Sequence, residues 1–181
     1  MAVGKLDYTA HNFMEDIVFE LIALKQKDDP DFDFCERCRM DIGAIVLNAV
    51  EPQYIKVKTK LEELDETTRK SLEQLVDEAA EQVRANPHHD REDNGGYHLE
   101  NFSERMVRQV LAEFVENQFE IELAPEDIPL VAAMVLNQTK PRYAVTTRGG
   151  AYKRLAQLDH QFVPTTISCI YNVIRQLKDL K

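Results

Sequence analysis

Apolar residues recur at helical spacing in both halves of the chain, with the same punctuation each time. In the first half Phe13, Ile17, Leu21 and Leu24 mark one face of a helix predicted over about residues 9–26. Ile42, Ile45, Val46 and Val50 mark a second over about 38–49, which Pro52 stops because proline has no amide to donate. A β-prone stretch, Tyr54-Ile55-Lys56-Val57, comes next, and a last helix is predicted over about 66–85. The second half repeats the order. Phe102, Met106, Val110 and Phe114 mark a helix over about 100–118, and Ile128, Val131 and Val135 one over about 126–138. Pro141, the β-prone run Tyr143–Thr147 and a helix over about 163–179 complete it.

Shifting the chain by 89 positions aligns residues 8–54 with 97–143 without gaps, and 12 of those 47 positions are identical. Random matching at ordinary composition gives about three. The shared residues include Tyr8/Tyr97, Asn12/Asn101, Glu15/Glu104, Asn48/Asn137, Pro52/Pro141 and Tyr54/Tyr143. The pattern therefore predicts a tandem duplication: a first repeat over 1–85, a polar, breaker-rich linker over 86–97 and a second repeat over 98–181. A three-helix unit of this size buries only a modest core. The expected fold is accordingly mainly α: two three-helix repeats packed as one pseudo-two-fold domain, with the short β segments paired across the axis. The shared Leu-Asn, Pro and Tyr block has an ordinary explanation in helix ends, stops and packing. A functional reading gains weight where the copies differ.

Composition narrows the class. The chain has 181 residues, 44% apolar and 30% charged, a globular and not a disordered profile. No apolar run approaches the roughly 20 residues of a membrane span. Met1 to Asp7 lacks a basic-then-apolar signal, so a cytoplasmic location is expected, without a membrane partner. The net charge of −10 argues against direct nucleic-acid binding.

Charge also separates the repeats. Glu51-Pro52-Gln53-Tyr54 in the first becomes Lys140-Pro141-Arg142-Tyr143 in the second. From Ile128 to Leu158, 31 residues, there is no Asp or Glu, while Lys140, Arg142, Arg148, Lys153 and Arg154 are basic. Arginine matches phosphate oxygens with a planar fork, and Gly149-Gly150 lets backbone amides approach an anion. Thr146 and Thr147 add hydroxyls, and Tyr143 and Tyr152 can stack on a base. Two readings stand for this segment: an anion site, or a solvated turn whose cations pair with carboxylates. Cys35-Glu36-Arg37-Cys38 offers two thiols at zinc-knuckle spacing, but a closed zinc site needs four ligands. Two ordinary thiols at a helix start explain it better, and no metal is expected. No nucleophile elbow or phosphate-binding loop motif is present, so no enzyme is expected.

Three blocks resemble the late-competence ComFB family: Asn12–Val18, Phe34–Tyr54 with its two cysteines, and Leu136–Tyr143 followed by Thr147-Arg148-Gly149. The resemblance implies a small helical regulatory protein without catalytic activity or cofactor. It implies a cyclic dinucleotide ligand, chiefly cyclic di-GMP and in some members cyclic di-AMP, a homodimer, and signalling through a regulatory protein such as a transcription factor. On that basis Lys140, Arg142 and Arg148 are expected at the phosphates and Tyr143 or Tyr152 at a base. Thr146, Thr147 and Gly149 complete the expected site. A protein-interaction adaptor and a zinc-stabilised structural module are the rival readings.

Overall fold

The computed structural model describes residues 8–32, 34–55, 60–87, 96–116, 123–147 and 150–179, with the backbone alone for 147 and 150–161. Two three-helix units follow each other: α1 (Phe13–Asp28), α2 (Glu36–Ala49) and α3 (Glu66–Ala85), then α4 (Phe102–Glu116), α5 (Ile128–Asn137) and α6 (Gly150–Asp179). Strands β1 (Tyr97–Asn101) and β2 (Tyr143–Thr147) pair antiparallel, with Tyr97 opposite Thr147 and Asn101 opposite Tyr143. The mainly α architecture with short β segments is the one expected.

Each unit has its own apolar core. Ile17, Val18, Ile42, Leu47 and Val76 lie at the centre of the first, and Val107, Leu111, Val131, Leu136 and Ile170 at the centre of the second. The cores are not self-contained. Tyr143, from the second repeat, packs into the first core, and Tyr54, from the first, packs into the second. Gly43 of α2 lies under the Phe19 ring of α1, where an added Cβ would come within 2.5 Å of the ring, so a larger residue there requires the ring to shift.

Four local expectations change. The first helix of each unit begins at 13 and 102 instead of 9 and 100, because Asn12 and Asn101 turn their side-chain oxygens onto the amides of Met14 (3.2 Å) and Ser103 (3.0 Å) and end the helix there. Of the expected β segment Tyr54–Val57, Tyr54 and Ile55 are irregular, and Lys56 and Val57 lie outside the described residues. β2 pairs with Tyr97–Asn101, assigned above to the linker's end and a helix start. Finally, α6 starts at Gly150 and not near 163, so Pro164 lies inside it and does not open it. A proline in the first helical turn is a common start signal, but the run Lys153-Arg154-Leu155-Ala156-Gln157-Leu158 consists of good helix formers and the helix begins before it.

Candidate ligand-binding site

The polar residues shared by the repeats converge between them and set the frame of the site. Asn12, fully buried, accepts the Gln53 amide at 2.8 Å and donates to the Tyr143 hydroxyl at 2.9 Å. Its counterpart Asn101 accepts the Arg142 amide at 3.2 Å and donates to the Tyr54 hydroxyl at 2.9 Å. Tyr143 then donates to Glu15 at 2.6 Å, and Tyr54 donates to Glu104 at 2.5 Å. The backbone follows the same symmetry. The Phe13 amide bonds the Gln53 carbonyl at 2.8 Å, and the Phe102 amide bonds that of Arg142 at 3.0 Å. Asn48 accepts the Tyr143 amide at 2.7 Å and donates to its carbonyl at 2.9 Å, while Asn137 accepts the Tyr54 amide at 2.7 Å. Each repeat thus holds the other's Pro-x-Tyr segment in place.

Burial changes the acid–base behaviour of this frame. Desolvation, joined by the nearby carboxylates, drives both tyrosine hydroxyls well above their ordinary range, so they stay protonated donors. Burial also raises Glu104, and Glu15 adds to that, against the lowering effect of the Tyr54 hydrogen bond.

The frame fixes residues 140–142 at the junction of two clefts. One, about 380 Å³, is lined by Asn48, Phe102, Lys140, Arg142, Tyr143 and Ala144. The other, about 400 Å³, lies between the end of α5 and α6, with Thr139, Lys140, Arg142, Phe162, Thr165 and Thr166 on its walls. The Arg142 guanidinium lies 3.4 Å above the Phe162 ring centre. Burial lowers its pKa, and among the described residues it makes no ion pair. Lys140 is exposed beside it and makes none either. A partly desolvated guanidinium held flat and without a carboxylate is suited to an oxyanion.

The structure brings together only part of the expected set. Lys140 and Arg142 share both clefts. Tyr143 does not offer its ring to a ligand: the side chain is 5% exposed and hydrogen-bonded to Asn12 and Glu15, which corrects the expectation that it stacks on a base. Thr146 is buried, with its hydroxyl 3.1 Å from His98 Nε2. Thr147 ends β2, and Tyr152 lies in the first turn of α6, both described by backbone alone. Arg148 and Gly149 lie outside the described residues. Phe162, Thr165 and Thr166 were missed, because their approach to Arg142 is set by how α6 packs beside residues 139–142, which no local pattern records. The polar frame was missed too, although its members stand among the repeat identities.

Cys35 caps α2, its Sγ accepting the Cys38 amide at 3.4 Å, and burial pushes the Cys38 thiol up to about 11. Among the described residues no group of three His, Cys, Asp or Glu side chains is placed to hold a metal, and no helix is long and apolar enough to cross a membrane.

The family model for the late competence development protein ComFB matches residues 11–87 and again residues 100–179. The chain belongs to the ComFB family. Each match spans one three-helix unit, so both halves of the pseudo-two-fold structure are ComFB repeats. Comparison with curated proteins gives no match, and comparison with solved structures gives none.

Proposed function

We propose that this tandem ComFB protein is a non-catalytic receptor for a cyclic dinucleotide, cyclic di-GMP first and cyclic di-AMP second, that signals through a regulatory partner such as a transcription factor. The observation that carries the reading is Arg142: a guanidinium stacked on Phe162 in an open cleft, without an ion pair among the described residues, on a chain of net charge −10. Cations on an acidic protein ordinarily find carboxylates, and one left facing a cleft calls for an anion from outside. Lys140 and Arg142 take the phosphates, Arg148 and the amides around Gly149 add to them, and Tyr152 stacks on a base. Thr146 and Thr147 complete the proposed site.

Calorimetric titration with cyclic di-GMP, cyclic di-AMP and linear GMP tests this. Sub-micromolar binding of one cyclic dinucleotide, with none of linear GMP, is the expected result. Absence of heat from all three with folded protein sinks the proposal and turns the basic segment into a protein-docking surface. A homodimer through the second repeat belongs to the same reading, and sedimentation with and without ligand checks it.

A further inference from the structure

The helices α3 and α6 can be placed in register by what they bury. Leu72, Val76, Ala79, Ala80 and Val83 face the first core, and Thr166, Ile170, Val173, Ile174 and Leu177 face the second at the same spacing. With the 89-residue offset for the preceding segments, every wall of the α5–α6 cleft acquires a counterpart in the first repeat. Thr139 corresponds to Val50, Thr166 to Leu72 and Cys169 to Leu75, while Lys140 becomes Glu51, Arg142 becomes Gln53 and Phe162 becomes Thr68. Val50, Leu72 and Leu75 all pack into or against the first core, together with Leu61 and Leu64 from the turn before α3. In the first repeat branched apolar side chains thus stand where Thr139, Thr166 and Cys169 line the second, Ser71 keeps a hydroxyl at the place of Thr165, and an amide and a carboxylate stand where the second has a guanidinium and an ammonium. In the second repeat the same place is a cavity of about 400 Å³.

We infer that each chain has a single anion-binding cleft, between residues 139–142 and α6 of the second repeat, in which Phe162 is the residue that positions Arg142. The class of ligand group is a phosphate or phosphodiester; its assignment to a cyclic dinucleotide rests on the receptor reading above. Phe162 acts through Arg142. The ring face attracts the guanidinium by its quadrupole and fixes its plane, so that the free N–H edge points into the cleft and little side-chain freedom is lost on binding. Thr165 stands exposed at the rim and Thr166 is buried in the wall, which places one hydroxyl where it can reach an oxyanion. The corresponding place in the first repeat, with Glu51 at its mouth, repels such a group.

The test is a titration of the full-length protein with cyclic di-GMP and, separately, with inorganic pyrophosphate. Heat is recorded, together with NMR shifts of the Arg142 side-chain Nε–H and of backbone amides. The expected result is at most one cyclic di-GMP per chain, with shifts at residues 139–142 and 162–169 and, for the cyclic dinucleotide, at 148–152. Phe162→Leu, which keeps apolar volume but removes the ring face, is expected to weaken binding by about 3- to 30-fold, and Phe162→Tyr to restore it. Affinity for cyclic di-GMP in Phe162→Leu equal to that of the unaltered protein, or no recovery in Phe162→Tyr, overturns the positioning role. More than one ligand per chain, or shifts centred on Val50–Gln53, overturns the single cleft. Binding of cyclic di-GMP with no change at Arg142 overturns the cleft and leaves the receptor reading standing. Pyrophosphate shifts at Arg142 without cyclic dinucleotide binding do the reverse, and silence with both ligands removes both.

Discussion

Tyr54 and Tyr143 end equivalent segments and do equivalent work, each crossing into the other repeat's core and donating to a glutamate there. One residue earlier the copies part: Gln53 is neutral, and the place that corresponds to the cleft holds Val50, Leu72 and Leu75 packed on the first core, whereas Arg142 stands over Phe162 beside an open cleft. The contrast extends to charge, since residues 1–85 hold 11 basic and 19 acidic side chains and residues 98–181 hold ten of each. The lesson is that the interlock constrains both copies alike, because a change on one side leaves a buried partner unsatisfied on the other. The clefts lie outside that constraint, and there the copies differ.

The strongest way to break the comparison is through the tyrosines. Tyr143→Ala is expected to cost about 3–5 kcal/mol in urea unfolding, and Tyr54→Ala the same within error; a large inequality would mean the two crossings are not equivalent. Next in size is a ligand effect that should appear on one side only. Arg142→Ala is expected to weaken cyclic di-GMP binding by about 1.5–3 kcal/mol if a charge-assisted bond is lost, while Gln53→Ala leaves it unchanged. Equal effects from the two would erase the distinction between open and filled clefts. Asn12→Ala and Asn101→Ala should each destabilise by about 1–3 kcal/mol, since each asparagine serves a helix cap, a backbone amide and a tyrosine hydroxyl at once. Unequal losses would locate the tighter half of the interlock.

The smallest effect sharpens the comparison by pH. Burial raises the Glu104 carboxyl above its ordinary value, so the fold favours its protonated form. Its contribution to stability is complete below the ordinary carboxylate pKa of about 4.3 and is lost as pH rises through the raised value. Glu104→Gln keeps an acceptor for Tyr54 but cannot ionise. Urea midpoints of this variant should fall less than those of the unaltered protein between pH 4 and the raised value. A parallel pair of profiles would show that Glu104 ionises without cost.

The duplication and the helical class were legible because they are written in periodicity and in identities at a fixed offset. Helix starts were less so: Asn12 and Asn101 read as ordinary polar residues before a periodic run, and their capping role depends on the Pro-x-Tyr segment of their own repeat lying alongside. The partner of β2 was misread because Tyr97–Asn101 lacks the alternation of a typical strand, and its pairing is set by tertiary placement. Tyr143 shows the limit most clearly. A tyrosine beside Arg142 has the right chemistry for stacking on a base, and only the three-dimensional crossing reveals that its ring closes the other repeat's core. That Arg142 makes no ion pair among the described residues was legible, because the stretch around it contains no carboxylate.

The crossed tyrosines also bear on how two unlike copies can stay together. Were the repeats separate chains, shared locks of this kind would let each copy pair with itself as readily as with the other, and a mixed population would follow unless the surfaces evolved to reject like partners. Joining them in one polypeptide removes that difficulty by raising the effective concentration of the unlike partner. Every molecule then contains one filled half and one open half, in fixed proportion, and divergence of the clefts requires no new rule of recognition between the halves.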